Sequence, residues 1–223
     1  MTKKRMLLTI LLILFSLSPL FSIEYDINAG YLYSFSNEKE YEYPEDYGGG
    51  FTANKLKDMG FQVGTNIYID ESFGMNLSIQ YLFPRMHLKY KAYTLSKSLG
   101  FSKIDSKIFG FYVGPTYRLS FLDKGSLMTS LGFTMKNRDL TKLYDLSTDE
   151  PQFYSSQKYG IGGRFFLSYN FLENMYFYAG INLDYYFALK KKIISKTGAV
   201  TEGWAYRFQS FEATPNIGIG FNT

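Results

Sequence analysis

The chain of 223 residues contains no cysteine, one histidine and one tryptophan. Without cysteine there is no disulfide framework, no thiolate metal site, no cysteine nucleophile and no lipid-modified cysteine anchor. The single histidine, His87, excludes a metal cluster built from imidazoles, and no cofactor is implied. Charge of one sign is lacking too. Of 24 basic residues, Lys3, Lys4 and Arg5 lie at the extreme N-terminus, which leaves 21 against 20 acids. A chain this balanced has no global electrostatic footprint for nucleic acid. Aromatic residues, in contrast, are abundant: 21 Tyr and 21 Phe bring them to 19%. A soluble core rarely takes so many tyrosines, whereas a membrane–water boundary favours them.

Residues 1–22 read as a secretory signal peptide. Lys3, Lys4 and Arg5 form its positive end, residues 6–17 are almost wholly apolar, and Ser18-Pro19-Leu20-Phe21-Ser22 supplies a break and a small residue. This pattern predicts cleavage near Ser22 and a mature domain of residues 23–223. The apolar run is short against the roughly 20 residues of a spanning helix, and nothing after Ser22 offers a second helical span. Re-entry into a membrane then requires a closed barrel, since only helices and barrels satisfy the backbone in lipid.

The mature sequence opens with a period of two. From Ile23 to Phe35 every odd position is apolar or aromatic, and nearly every even position is polar or glycine. Successive side chains of a strand point to opposite faces, so this strand has one apolar and one polar side. The pattern recurs and predicts eight strands, near 23–36, 59–69, 73–83, 105–119, 126–136, 157–169, 175–189 and 206–221. Each reaches the roughly 9–11 residues of a tilted spanning strand. The glycines of Gly160-Ile161-Gly162-Gly163 fit the alternation and precede no helix, so they form no phosphate cradle. Pro115 and Pro215 each remove a ladder donor and predict bulges or local pairing defects.

Three features put the apolar face outside. The polar face is rich in glycine and small residues, which suits a narrow interior and not a solvated surface. Aromatics cluster at the strand ends: Tyr25, Phe73, Tyr117, Tyr169, Phe177 and Phe221 at one end, Tyr33, Phe35, Phe83, Phe109, Tyr159 and Phe187 at the other. Two such girdles mark a membrane barrel. Connections also alternate in length, with short turns at 70–72, 120–125 and 170–174, and long loops at 37–58, 84–104, 137–156 and 190–205. Short periplasmic turns and long external loops are the expected topology.

On this pattern, and without a diagnostic motif, the chain resembles the small eight-stranded outer-membrane barrels of the OmpA, OmpX and OmpW type. The stretch from Phe211 to Phe221 resembles the terminal strand that these proteins present to the barrel assembly machinery, although Asn222 and Thr223 follow the last aromatic. The fold class expected is all-β, an eight-stranded antiparallel up-and-down transmembrane β-barrel in the outer membrane of a Gram-negative-type cell.

Candidate functional residues follow from the faces. By parity the lumen holds Glu24, Asp26, Asp184 and Glu212 with Arg118, Lys136, Lys158 and Arg164. Buried charges must pair, which predicts a plug of ion pairs in which Arg164 meets Asp184 or Glu212. Inward Leu32, Leu82, Ile108, Tyr112, Phe166, Tyr178 and Tyr186 either pack the interior or line a path for solutes. In the loops, Glu42 and Tyr43 belong to an acidic, aromatic-rich stretch, and Lys89, Lys91, Lys190, Lys191 and Lys192 form basic clusters suited to anionic lipid or macromolecules. His87 with Ser96, Ser98 or Ser102 lacks diagnostic spacing for catalysis, although some outer-membrane barrels modify lipid A.

The expectation is a monomeric, non-enzymatic barrel with a structural or surface-interaction role in adhesion or envelope integrity. Its partners would be outer-membrane lipid, the assembly machinery and host or envelope macromolecules. A narrow channel for small or hydrophobic solutes, and more remotely a lipid A-modifying enzyme, are the alternatives.

Overall fold

The computed structural model describes residues 24–41, 51–84, 91–92, 107–121, 124–145, 150–194, 198–205 and 207–222. Among them run ten strands: β1 (Glu24–Tyr41), β2 (Phe51–Tyr68), β3 (Phe73–Pro84), β4 (Lys91–Ala92), β5 (Ile108–Phe121), β6 (Gly125–Asp145), β7 (Glu150–Leu172), β8 (Met175–Ile194), β9 (Val200–Trp204) and β10 (Arg207–Asn222). No helix of the described residues is long and apolar enough to cross a membrane.

Eight of the strands close into a ring in the order β1-β2-β3-β5-β6-β7-β8-β10, each antiparallel to its neighbours, and β1 pairs back onto β10. Tyr31 of β1, for instance, lies between Phe61 of β2 and Ile217 of β10. The ring is an eight-stranded up-and-down barrel without a free edge in its wall. Short β4 adds to β2, and β9 adds to β8 beyond the ring.

Burial alternates as a barrel with an inverted surface requires. On β5 and β10 the even positions are buried as far as Thr116 and Asn216, and the odd ones are mostly exposed. Leu131 is 67% exposed and Ile217 63%, while Arg164 is 1% exposed and Asp184 0%. Exposed apolar side chains encircle the wall, far beyond the few hundred Å² that a soluble monomer shows. Such a surface is stable only against hydrocarbon. Aromatics close this belt at both ends. Phe73 and Tyr117 meet at 4.9 Å at the lower end; Tyr81 and Phe83 meet at 4.8 Å at the upper. The ten residue steps from Phe73 to Phe83, at about 3.3 Å each and a tilt of roughly 40°, give a height of about 25 Å, which is that of a membrane barrel belt. The single tryptophan joins the upper girdle, with Trp204 5.6 Å from Tyr159.

Lower strand ends fall within two residues of the sequence expectation at most positions; several upper ends do not. β1 continues to Tyr41, β2 begins at Phe51, β6 extends to Asp145, β7 starts at Glu150 and β8 runs to Ile194. The regions read as long loops at 37–58, 137–156 and 190–205 are therefore largely sheet. Above the belt both faces of a strand can meet water, so the alternation fades while the hydrogen-bond ladder continues. β9 escaped notice for the same reason.

The prolines produce pairing gaps without register shifts. Between β5 and β6 the pairing passes from Val113–Phe133 to Thr116–Ser130 in unchanged register, skipping Pro115. Between β1 and β10 it passes from Leu32–Asn216 to Phe35–Ala213, skipping Pro215. Bulges occur elsewhere, between Arg138 and Thr141, between Tyr159 and Gly160, and between Asn170 and Leu172. At the lower end the Asp70 carboxylate accepts hydrogen bonds from the amides of Ser72 (2.7 Å) and Phe73 (2.6 Å), which tightens the turn into β3 and holds this exposed acid below its ordinary pKa.

The inverted surface has a direct consequence. Leu131→Arg puts a guanidinium on the lipid face and is expected to cost roughly 2–4 kcal/mol near the midplane, whereas Leu131→Phe is expected to cost little. Equilibrium unfolding in lipid vesicles measures both, and equal stability of Leu131→Arg and wild type would mean that the belt does not face lipid.

Candidate functional site

The lumen is a polar column in three tiers. In the upper tier β1, β2, β6, β7 and β10 converge on three acids, Glu38, Asp58 and Glu212, and three bases, Lys136, Arg138 and Lys158. Lys136 pairs with Glu212, and Lys158 pairs with Glu38. Ser34 donates a further hydrogen bond to Glu212, and Asp58 and Arg138 line the same residual space of about 10 Å³. That is about the room of one water molecule.

In the middle tier Arg164 of β7 donates to the Asp184 carboxylate of β8 at 2.7 Å. Its guanidinium also stacks 4.0 Å from the centre of the Tyr112 ring, and the Tyr112 hydroxyl is 2.6 Å from Ser130 Oγ. Gly162 makes this fit, since a Cβ there would collide with Asp184 Oδ1. Side-chain amides bridge the remaining width. Gln80 and Asn182 both donate to Gln62 Oε1, at 3.1 and 2.8 Å, and Asn216 donates to Asn182 Oδ1 at 3.2 Å. Gln62, Asn182, Thr214 and Tyr186 are buried. Desolvated charges are costly alone and tolerable when paired; Arg164 and Asp184 are paired, while Arg164 Nε and Asp184 Oδ2 have no hydrogen-bond partner.

In the lower tier Arg118 of β5 forms a two-pronged pair with Glu24 of β1. It also donates from Nε to the Glu71 carbonyl at 3.1 Å and covers the Tyr68 ring at 4.1 Å. Asp26 forms no ion pair among the described residues. It accepts hydrogen bonds from the Tyr176 hydroxyl and from Asn66 Nδ2 (3.0 Å), and Asn66 in turn accepts from Asn76 at 2.6 Å. Between this tier and the short-turn end lies a cavity of about 120 Å³.

Of the lumenal charges read from the sequence, the structure thus joins Glu24 with Arg118, Arg164 with Asp184 and Glu212 with Lys136, and leaves Asp26 to a tyrosine and an amide. Sequence reasoning missed Glu38, Asp58 and Arg138 by assigning 37–58 and 137–156 to loops. Parity was a usable signal, because Ser34, Ser36 and Glu38 continue one even-numbered face, and Asp58 precedes Gly60 on another. The inward apolar residues Leu32, Leu82, Ile108, Tyr112, Phe166, Tyr178 and Tyr186 are all buried, and Leu32, Leu82 and Ile108 form one cluster.

At the long-loop end β7, β8 and β9 project beyond the girdle. The bulge opposite Tyr159 and Gly160 advances β8 by one residue, so that Tyr186 and then Leu189 face inward. Lys190 pairs with Glu202 of β9, Lys192 is exposed, and Lys191 is half-buried. Burial pushes the Lys191 ammonium down to about 8. Together with Ser155 and Gln157 these lysines line an open groove of about 220 Å³. Lys91 lies in β4, where it pairs with Ala53. Glu42, Tyr43, Lys89, His87, Ser96, Ser98 and Ser102 lie outside the described residues.

No protein-family model and no curated protein matches the chain. Solved structures do. OprG of Pseudomonas aeruginosa, an outer membrane protein, is similar over 90% of this chain and 95% of its own, at TM-score 0.60 and 12% identity. A major outer membrane protein from Thermus thermophilus is similar over 86% and 99%, at TM-score 0.55 and 12% identity. Neisserial surface protein A is similar over 88% and 96%, at TM-score 0.50 and 11% identity. The likeness is one of fold, and the fold is that of outer-membrane β-barrels.

Two outcomes test the interior and its rim. Arg164→Met strands the Asp184 carboxylate and is expected to cost about 3–5 kcal/mol, while Arg164→Met with Asp184→Leu is expected to recover most of that loss; a double-mutant cycle by urea unfolding reads the difference. For Lys191 the folded pKa lies below the ordinary 10.5. The unfolded chain therefore binds the extra proton between about pH 8 and 10.5, and stability rises with pH across that window. Wild type is expected to gain on Lys191→Met between pH 7 and pH 10; a constant difference would show that Lys191 keeps its ordinary pKa.

Proposed function

We propose that this chain is a monomeric outer-membrane barrel, exported by a signal peptide cut near Ser22 and inserted by the barrel assembly machinery, with a structural or adhesive task at the cell surface. The observation that carries this reading is the pairing of a filled lumen with strands that outrun the membrane. Arg164 and Asp184 at mid-barrel are fully buried against Tyr112 and the amides, so no continuous aqueous path runs past them. Beyond the girdle, β8 and β9 present Lys192, Val200 and Glu202, all exposed. A sheet that continues past the bilayer with exposed charged side chains is a platform for contact with host or envelope macromolecules and with lipid headgroups. The role is non-enzymatic.

The test is adhesion. The chain displayed in a Gram-negative host is expected to raise attachment to extracellular-matrix preparations several-fold over empty cells. Lys190→Glu with Lys192→Glu is expected to reduce that gain at unchanged surface amount. Equal attachment of displaying and empty cells, together with unchanged detergent sensitivity, would overturn the proposal.

A further inference from the structure

The cavity at the short-turn end is built unlike the rest of the lumen. One wall is apolar and aromatic: Met128, Phe166, Tyr176, Tyr178 and Tyr68, drawn from four strands, form one buried cluster. Phe166 and Tyr178 meet edge to face with centroids 5.4 Å apart. The opposite wall comes from β1 and β10 and carries oxygen acceptors: Asp26, Asn28 and Asn222. Asn28 and Tyr178 are more than nine-tenths buried, yet Asn28 Oδ1 and the Tyr178 hydroxyl have no hydrogen-bond partner, and neither has Asn222 Oδ1. The upper and middle tiers are closed by paired charges and bridging amides. Here a cavity of about 120 Å³ is left, lined by Asn28 and Asn222 oxygens and the Tyr68 and Tyr178 hydroxyls without partners, with Arg118 and Lys124 also on its wall.

We propose that this cavity binds a small organic ammonium ion with an aromatic or apolar body. Asp26 supplies the charge. It accepts hydrogen bonds from Tyr176 and Asn66 and forms no ion pair among the described residues; the nearby Arg118 acts on it only at a distance and is itself paired with Glu24. A primary ammonium has three donors and no acceptor, which matches Asn28 Oδ1, Asn222 Oδ1 and the Asp26 carboxylate. The faces of Tyr176 and Tyr178 add cation–π attraction, and the Met128–Phe166 side takes the apolar body. A carboxylate ligand would draw on the Tyr68 and Tyr178 hydroxyls but place a like charge beside Asp26; a neutral alcohol would answer one acceptor and leave Asp26 without a cation. The cavity opens beside Lys124 and Asn170 at the short turns, so the ligand enters from the periplasmic side. The site is independent of the adhesive surface at the other end of the barrel.

The test is calorimetry on the full chain in maltoside micelles, with the heat of titrating empty micelles subtracted. A choline detergent is avoided because it would itself compete as an ammonium. Phenethylammonium is expected to bind at one saturable site at roughly millimolar concentration or tighter, the scale available to so few atoms. The neutral 2-phenylethanol and the anionic 3-phenylpropionate are each expected to bind at least about tenfold more weakly. Asp26→Asn keeps the shape and is expected to lose about tenfold for the cation only. Met128→Trp fills the apolar side without touching Asp26 and is expected to abolish binding. Both variants are checked for retained β circular dichroism. Absence of saturable binding, equal affinity for the neutral or anionic probe, or unchanged affinity in either folded variant would overturn the proposal.

Discussion

A backbone amide or carbonyl that enters hydrocarbon without a partner costs several kcal/mol, and the architecture follows from that penalty. A strand in lipid must pair on both sides, so the sheet has to close, which it does where β1 meets both β2 and β10. Closure with eight strands fixes a narrow interior. The outer face must be apolar over about 25 Å, so whatever polar character the chain retains inside the membrane is forced into that narrow lumen. There it must be paired. The column from Glu24–Arg118 through Arg164–Asp184 to Lys136–Glu212 is the outcome.

Glycine and charge in the lumen are two parts of one packing solution. Tyr176 and Tyr178 cross the interior only because glycines stand opposite them; a Cβ at Gly220 would run into the Tyr176 ring. The Arg164–Asp184 pair fits through the same device at Gly162. Large inward side chains therefore lie over glycines of the neighbouring strand, and Tyr176 reaches past β10 to Asp26 of β1. The lower cavity is where that pattern stops being complete.

Period two made the membrane-embedded part readable from sequence, because lipid on one side and a packed lumen on the other impose opposite chemistry on adjacent residues. The inward placement of Leu32, Tyr112 and Tyr186, and the partners of Arg118 and Arg164, sit on faces that simple parity assigns. Reading failed where that constraint ends. Glu38 and Asp58 lie on strand continuations that the loss of apolar residues disguised as loop. Leu189 faces inward although parity from Tyr186 assigns it outward, because a bulge adds a residue at Phe187 and nothing local in the sequence marks it. For Asp26 parity gives the face but not the partner, and only the geometry shows Tyr176 and Asn66 in place of a cation.

The lumen is closed at mid-barrel by its own paired side chains. Planar-bilayer recording of the refolded chain, with β circular dichroism in detergent as the folding control, tests this most directly. The folded protein should insert and give no steady current across the physiological voltage range, since Arg164, Asp184, Tyr112 and the amide bridges fill the cross-section. Steady, ion-selective unitary currents from folded wild-type protein would contradict it, because they require a continuous water path where the structure has a packed one.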